Sequence, residues 1–446
     1  MAEGRQEQAD SGFLANVNFV FITYVANAAL AFVIAVILAR ALGAEGRGVY
    51  ALFLLSASIT QAALSLGLGV SAVYELGKGT TAIARIVANS QHVVLGSAVV
   101  SGLLVLIAWP LFGDSLLDHD TPYWIFAFAV PLFVNYQVLT TILQGASRFT
   151  AMSAVVVAQP IALLALLGAG AAFGEIDTRT ALLCWSGGTL AATLLALLLL
   201  GRPALRLREL LRFDGPSLRR QVRFGLKGQI GNLVQLLNYR LDQYIVLLFV
   251  STAGVGIYAV SVTLSQSVWF IANAVAAVLL PRLTAASETE AARTTPVVCR
   301  NTLLVSVLAA SALAAVSPWL VEGLFGGEFG SALRPLLWLL PGTVALAGSK
   351  ILTSYIFSQG QPLTNSLITA AALIATVIAD FALIPPFGLT GAAIASSIAY
   401  GVHFALSLAA YRRLSGGSIS EAVFIQGDDL RGYLEAARRR FAAVQP

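Results

Sequence analysis

Charge is what this chain has least of. Of its 446 residues only 11% are Asp, Glu, Lys or Arg, where a soluble domain carries about a quarter. Too few remain to cover a water-facing surface, and the class that composition leaves is a polytopic membrane protein. Cysteine occurs twice, at Cys184 and Cys299, in or beside apolar runs, which excludes a disulfide scaffold and a cysteine-built metal site. The three histidines, His92, His119 and His403, lie far apart, so no HExxH or paired-histidine metal motif exists. No polar stretch is long enough to fold as a soluble catalytic domain. Gly77-Lys78-Gly79 lacks the ending of a phosphate-binding loop, and Gly67-Leu68-Gly69 lacks the third glycine of a dinucleotide fingerprint. No local pattern assembles a nucleophile, a base and an orienting group. An enzyme is therefore not expected, nor a metal, an organic cofactor or a nucleic-acid partner.

What the chain has is apolar length. A helix crossing about 30 Å of hydrocarbon needs roughly 20 mostly apolar residues. Such runs begin near Leu14, Val49, Gln91, Tyr123, Ala151 and Arg179, and again near Phe224, Gly254, Cys299, Leu333, Leu363 and Gly388. The breaks carry turn residues: Gly43 to Gly48, Gly113 to Pro122, Gly145 to Arg148, Gly174 to Thr178, Gly360 to Pro362 and Pro385 to Gly388. The first run is too long for the core of a signal peptide and more spans follow it, so it is expected to remain as a membrane helix. The expectation is an all-α protein of twelve transmembrane helices. Basic residues support the count: twenty Lys and Arg fall on the side of the N-terminus, and four, Arg40, Arg47, Arg179 and Arg334, on the other. Positive-inside bias then places both termini in the cytoplasm.

The chain also repeats itself. Gly46-x-Gly48-x-Tyr50-Ala51 returns as Gly254-x-Gly256-x-Tyr258-Ala259, 208 residues later, and Gln144-Gly145 returns as Gln359-Gly360 after 215. The matches fall at equivalent places in two six-helix halves, as in transporters with parallel repeats. The reading divides the chain into a first six-helix lobe with the start of a connector (1–212), a second lobe (213–415) and a cytoplasmic tail (416–446). Residues 201–223 hold seven arginines and read as a connector touching lipid headgroups. Leu430, Leu434 and Phe441 in the tail read as a short amphipathic surface helix.

An ionisable residue inside a span costs about 2.5–3.5 kcal/mol on insertion scales and faces a cavity or a partner. Three of the 27 Lys and Arg are so placed: Lys227, Arg240 and Lys350. In span seven, Lys227, Gly231, Gln235, Asn238 and Asp242 step by three or four residues and share one helix face. Arg240 and Gln243 form a neighbouring stripe with Asn232. Asn16, Thr23 and Asn27 make a weaker face on span one, with Asn27 equivalent to Gln235 at the 208 offset. Asn135 is equivalent to Lys350 at the 215 offset. Both halves thus turn a polar face toward something wet, most simply a central cavity, with Lys227 near the cytoplasmic mouth, Lys350 deeper and Arg240 toward the outer part. Structural readings stand beside these: Lys227 snorkelling to the interface, Arg240 and Asp242 as buried charges paired to other spans, Glu75 with Lys78 as an i,i+3 surface pair, and Asp380 at the outer interface.

Five blocks carry a family resemblance: ALGAEGRGVYAL (41–52), FGLKGQIGNLVQLLNYRLDQYIV (224–246), AGVGIYAVSVTLSQSVW (253–269), VLLPRL (278–283) and DFALIPPFGLTGAAIASSIAY (380–400). They resemble the polysaccharide-transport, Wzx-like oligosaccharide flippase branch of the MOP exporter superfamily, with Asp380 where that family usually has Asn. The resemblance implies two six-helix lobes in a V-shaped, MATE-like fold. It implies alternating-access transfer of an undecaprenyl-diphosphate-linked oligosaccharide to the outer leaflet, for surface polysaccharide synthesis. On that reading Arg240, Lys350 and Lys227 are ligands for the diphosphate, since charge-assisted donors bind phosphate well. Asn27, Asn135, Gln235 and Asn238 offer amides to sugar hydroxyls, and Asp242 takes a coupling proton or sodium ion. Partners would be the lipid-linked oligosaccharide, membrane lipids and polysaccharide-assembly enzymes. A MATE-type cation-coupled multidrug antiporter shares the fold but wants an apolar, acidic lumen. An integral-membrane polymerase or ligase wants a long outer loop with paired charges, and the outer loops here are short.

The charge asymmetry makes a topological prediction. Cysteines placed at Ser115 and Ser251 should react with a membrane-impermeant maleimide in intact cells, and one at Ser217 only after permeabilisation. External labelling at Ser217 would end the twelve-span reading.

Overall fold

The computed structural model describes residues 2–116, 124–201, 213–427 and 429, with side chains from Ile22 onward apart from 24, 108–116 and 173. Residues 202–212 of the connector, part of the loop between Gly113 and Pro122, and the tail residues Leu430, Leu434 and Phe441 lie outside the described residues. All secondary structure among the described residues is helical, as hydrocarbon requires of a chain whose backbone groups must bond internally. The helices are α1 (Ala2–Leu64), α2 (Leu68–Gly77), α3 (Ile83–Leu116), α4 (Trp124–Gly145), α5 (Phe149–Phe173), α6 (Thr178–Leu200), α7 (Gly215–Phe249), α8 (Thr252–Gln266), α9 (Trp269–Ala285), α10 (Glu288–Leu320), α11 (Leu333–Ser358), α12 (Pro362–Ser415) and α13 (Ile419–Val423). A π-helical turn (Val321–Phe325) and a 3₁₀ turn (Gly327–Ala332) join α10 to α11.

The protein is a multi-pass membrane protein, but twelve separate spans are not what length and apolarity count. Among the described residues eight helices are long and apolar enough to cross a membrane, or nine if the bent pair α8–α9 is one span. Two causes account for the difference. α1 and α12 each run through a break, at Gly43 (φ 64°) and Gly388 (φ 57°), so each merges two of the expected segments. Both breaks sit in left-handed backbone that favours glycine. α7 is 35 residues long but too polar to count, because it carries the stripe of amides and charges. The break at Gly174 is present, and Asp177 caps α6 by accepting from the Thr180 N–H at 2.8 Å, which holds its carboxyl below the usual carboxylate range.

By packing, the chain forms two compact units, Met1–Val260 with Leu320–Ala332, and Ser261–Trp319 with Leu333–Pro446. The halves drawn from the repeat divide near 212. Packing instead groups α7 and the start of α8 with the first-half helices, and the reason is a pair of glycine contacts. A Cβ on Gly48 would lie 1.9 Å from the Thr252 carbonyl oxygen, and one on Gly256 1.9 Å from the Ala44 carbonyl oxygen. Ala44 and Thr252, like Gly48 and Gly256, are 208 residues apart, so the two repeats of the glycine motif meet each other symmetrically. Farther along, Gly67 and Gly225 touch so closely that a Cβ on either would come within 2.2 Å of the other's backbone. Backbones approach this closely only where at least one of the facing residues lacks a side chain.

Polar contacts reinforce the first unit. Asn89 donates to the Gln221 side chain at 3.1 Å, and Gln221 donates to the Glu75 carboxylate at 3.0 Å, all three buried. Glu75 therefore does not pair with Lys78 as expected: it turns to Gln221 and Arg220 on α7, while the Lys78 ammonium lies 4.7 Å from the Tyr74 ring centre. The i,i+3 rule sees one helix, and here a buried neighbour on another helix wins. Arg40 donates to the carbonyls of Leu324 and Gly323, satisfying acceptors that the end of a helical turn leaves open.

In the second unit α11 and α12 pack closely, with Ser397 donating to the Trp338 carbonyl at 2.5 Å and Tyr355 meeting Tyr411 edge to face at 5.2 Å. Cys184 and Cys299 are free and buried, each in its own unit. Asp380, expected at the outer interface, is wholly buried. Arg300 gathers the start of the tail, donating to both oxygens of Asp429 and to the Glu421 carbonyl at 3.0 Å. Those bonds hold the Asp429 carboxyl below the usual carboxylate range.

The glycine contacts predict a contrast in stability. Gly48→Ala and Gly256→Ala should each cost about 1–3 kcal/mol, the usual range for overpacking. Gly102→Ala, where a Cβ would meet nothing within 4 Å, should be neutral or slightly stabilising. Thermal unfolding of the detergent-purified protein would check this, and equal effects at all three positions would contradict it.

Candidate functional site

Polar residues of the first unit concentrate on α7 and on the part of α1 beyond Gly43. Asn238 and Asp242 are both buried on the expected face, whereas Lys227 is exposed. Gln235 donates to the Tyr239 hydroxyl one turn on. Asn27 is half-buried. Asn135 exchanges amide hydrogen bonds with Gln91, at 3.0 and 3.4 Å, so its side chain is oriented by a neighbour on α3. The carboxylate of Asp242 accepts from the backbone N–H of Gln243 at 2.9 Å and from the Tyr258 hydroxyl at 2.7 Å. A coupling cation at Asp242 would have to compete with that tyrosine.

The repeat makes Tyr50 the counterpart of Tyr258, and the two tyrosines serve opposite charges. Tyr258 gives its O–H to a carboxylate; Tyr50 presents its ring to a guanidinium, that of Arg47, at 5.6 Å. Arg47 is only 8% exposed, and its Nε is sealed from solvent with no acceptor. Half-buried Arg240 is close enough for the two positive charges to repel. Among the described residues neither arginine has a carboxylate within ion-pair distance or a hydrogen-bond acceptor. The sequence puts Arg47 in an outer loop, whereas it lies within α1 and is buried. The missed signal is the pair of flanking glycines, since Gly46 and Gly48 mark a helix packed against another backbone.

In the second unit Lys350 is half-buried, its ammonium 5.2 Å from the centre of the Trp269 ring. A ring face stabilises a cation. Trp269 is itself buried and meets Tyr400 edge to face at 5.8 Å. The Lys350 carbonyl accepts from the Ser354 hydroxyl at 2.8 Å. Next to it Ser349 joins His403, Ser407 and Thr369 in a buried polar cluster that the sequence did not announce, because a lone histidine among apolar residues carries no motif.

Residues 13–287, more than half of the chain, match the family described as "Polysaccharide biosynthesis protein". No curated protein sequence matches the chain. Solved structures match in fold. The lipid II flippase MurJ, in an inward closed conformation, superposes with a TM-score of 0.73 at 12% identity, over 89% of each chain. An inward-facing multidrug resistance MATE family transporter of the MOP superfamily gives 0.73 at 14% identity, over 87% of this chain and 95% of that one. A MOP superfamily transporter from Pyrococcus furiosus, described by the reverse polarity of its binding pocket, gives 0.60 at 13% identity, over 90% of this chain and 94% of that one. At these identities the likeness is one of fold.

The unequal tyrosines give a direct test. Tyr258→Phe leaves a buried carboxylate short of a donor and should cost about 1–3 kcal/mol, whereas Tyr50→Phe keeps the ring beneath Arg47 and should be nearly silent. Thermal unfolding of the two variants checks it; a silent Tyr258→Phe would show that Asp242 does not depend on that hydroxyl.

Proposed function

Because the chain belongs to the polysaccharide biosynthesis protein family, we propose that it is a flippase, moving an undecaprenyl-diphosphate-linked oligosaccharide across the cytoplasmic membrane by alternating access during surface polysaccharide assembly. The observation that carries the reading is Arg47, buried against the Tyr50 ring with its Nε sealed from any acceptor, while half-buried Arg240 on α7 acts on it electrostatically and neither has a carboxylate within ion-pair distance among the described residues. A diphosphate is a concentrated anion that cannot cross hydrocarbon unsolvated, and arginine offers it planar, bidentate donors. Lys350 supplies a further cation in the second unit, and exposed Lys227 a point charge near the cytoplasmic end of α7. The sugars need neutral partners, and the amides of Gln235, Asn238, Asn27 and Asn135 can give and accept hydrogen bonds. A multidrug antiporter handling cationic drugs would gain nothing from paired arginines, since like charges repel.

On this reading both termini face the cytoplasm, and enzymes that build and polymerise the repeat unit act before and after the transfer. A clean deletion should abolish surface polysaccharide while lipid-linked repeat units accumulate inside. In the complemented strain Arg240→Gln and Lys350→Gln should each lower export about ten- to a hundredfold, as expected for losing a hydrogen-bond partner of a charged group. Arg240→Lys and Lys350→Arg should keep part of it. Surface glycan that persists with both glutamines in place, at normal protein level, would overturn the assignment.

A further inference from the structure

The glycine contact that sets α7 against α2 also assembles an exposed surface with no role so far. Gly67 and Gly225 touch backbone to backbone. Beside them Phe224 stacks on Tyr74, with ring centres 4.3 Å apart and planes 26° from parallel. The Lys78 ammonium lies 4.7 Å from the centre of the Tyr74 ring, so the three side chains form a layered stack. Both rings stay open to the outside, Tyr74 by 43% and Phe224 by 39%. Exposed rings are ordinary where hydrocarbon surrounds them. Here their neighbours are cations, and apolar surface kept exposed within a polar rim marks an interaction site.

Arg220, Arg223, Phe224 and Lys227 fall at helical spacing, so they share one face of α7, and all four are exposed. Arg220 meets the Glu75 carboxylate at 3.5 Å. Among the described residues Lys78, Arg223 and Lys227 have no carboxylate within ion-pair distance. From Lys227 the same face runs on through Gly231 and Gln235 to Asn238 and Asp242. Ile230, exposed on its flank, adds apolar surface. A ring that merely anchors a helix among head groups sits at the edge of an apolar span face. These rings stand at the start of a polar one.

We infer that the surface formed by Tyr74, Lys78, Arg223, Phe224 and Lys227 receives the head group of a diphosphate-linked saccharide before it enters the polar stripe of α7. The cations take the phosphates as charge-assisted donors. The rings take the first sugar. An aromatic face is partly negative, and the C–H bonds on the flat side of a pyranose, polarised by the neighbouring oxygens, settle on it. A glycerophospholipid offers the same phosphate chemistry without that flat sugar face, so the paired rings favour the saccharide. This rests on the flippase reading and adds to it a first binding step on the cytoplasmic side.

Two probes, farnesyl diphosphate linked to N-acetylglucosamine and farnesyl diphosphate alone, can be titrated into the full-length protein in phosphatidylcholine nanodiscs. Arg240→Gln with Lys350→Gln serves as the background, since it disables the deeper ligands and leaves the α2–α7 surface intact. In that background the sugar-bearing probe should still bind. Adding Phe224→Leu should weaken it about fivefold, the scale of one aromatic contact, with farnesyl diphosphate unchanged; Phe224→Trp should keep the affinity of the background. Tyr74→Leu supplies the ring test if Phe224→Leu does not fold. Adding Lys78→Gln with Arg223→Gln should weaken both probes about tenfold, the scale of two exposed charge contacts. Three results overturn the inference: loss of all binding in the background while the wild type binds, ring variants that leave the sugar-bearing probe unmoved or weaken both probes alike, and displacement of that probe by an equal amount of phosphatidylglycerol. A wild type that binds neither probe overturns the diphosphate reading itself.

Discussion

Helices in a bilayer gain little by hiding apolar side chains from lipid tails that are equally apolar, so how closely their backbones can approach decides which of them pack. In the first unit that approach is set by glycine: Gly48 against Thr252, Gly256 against Ala44, and Gly67 against Gly225. These contacts hold α7 and the start of α8 to α1 and α2, and the polar stripe of α7 comes with them. With Gly48 and Gly256 in register, Tyr50 and Tyr258 take equivalent places two residues on, and the chemistry of the unit follows from what each tyrosine meets.

That is where the two halves of the repeat diverge. One tyrosine secures a carboxylate and the other cushions a guanidinium, so a symmetric scaffold carries an asymmetric charge. Asp242 is met by donors on both oxygens; Arg47 is met by a ring, and Arg240 acts on it electrostatically. Breaking a buried pair normally costs more than making it gains, so a scaffold under selection for stability alone would not leave two arginines without an anion. The arrangement makes sense if the anion is supplied from outside and is carried away again.

Much of the fold was legible in the sequence because a membrane helix has few alternatives. Glycine and proline clusters marked the ends and breaks of the helices, including Gly43 and Gly388, and the 208-residue offset anticipated two motifs that touch. The site was only partly legible. The stripe from Gln235 to Asp242 follows from helical spacing, but the burial of Asn238 and Asp242 does not, since that face was expected to turn toward water. The partner of Glu75 did not, because Gln221 is 146 residues away and nothing in either neighbourhood points to the other. Arg47 was hidden by counting charges per loop, which treats every residue near a break as exposed. The His403 cluster was hidden because its three hydroxyls come from two other stretches of chain and from its own next turn, Thr369, Ser349 and Ser407.

The central claim is that the paired arginines exist to hold a diphosphate. Native mass spectrometry of the protein purified from its own membranes tests it most directly. The wild type should retain a polyprenyl-diphosphate lipid bearing sugars, and the Arg47→Gln, Arg240→Gln double variant should lose that lipid while keeping ordinary phospholipids. Retention of the same lipid by both proteins, or of phospholipids alone by the wild type, would contradict the account.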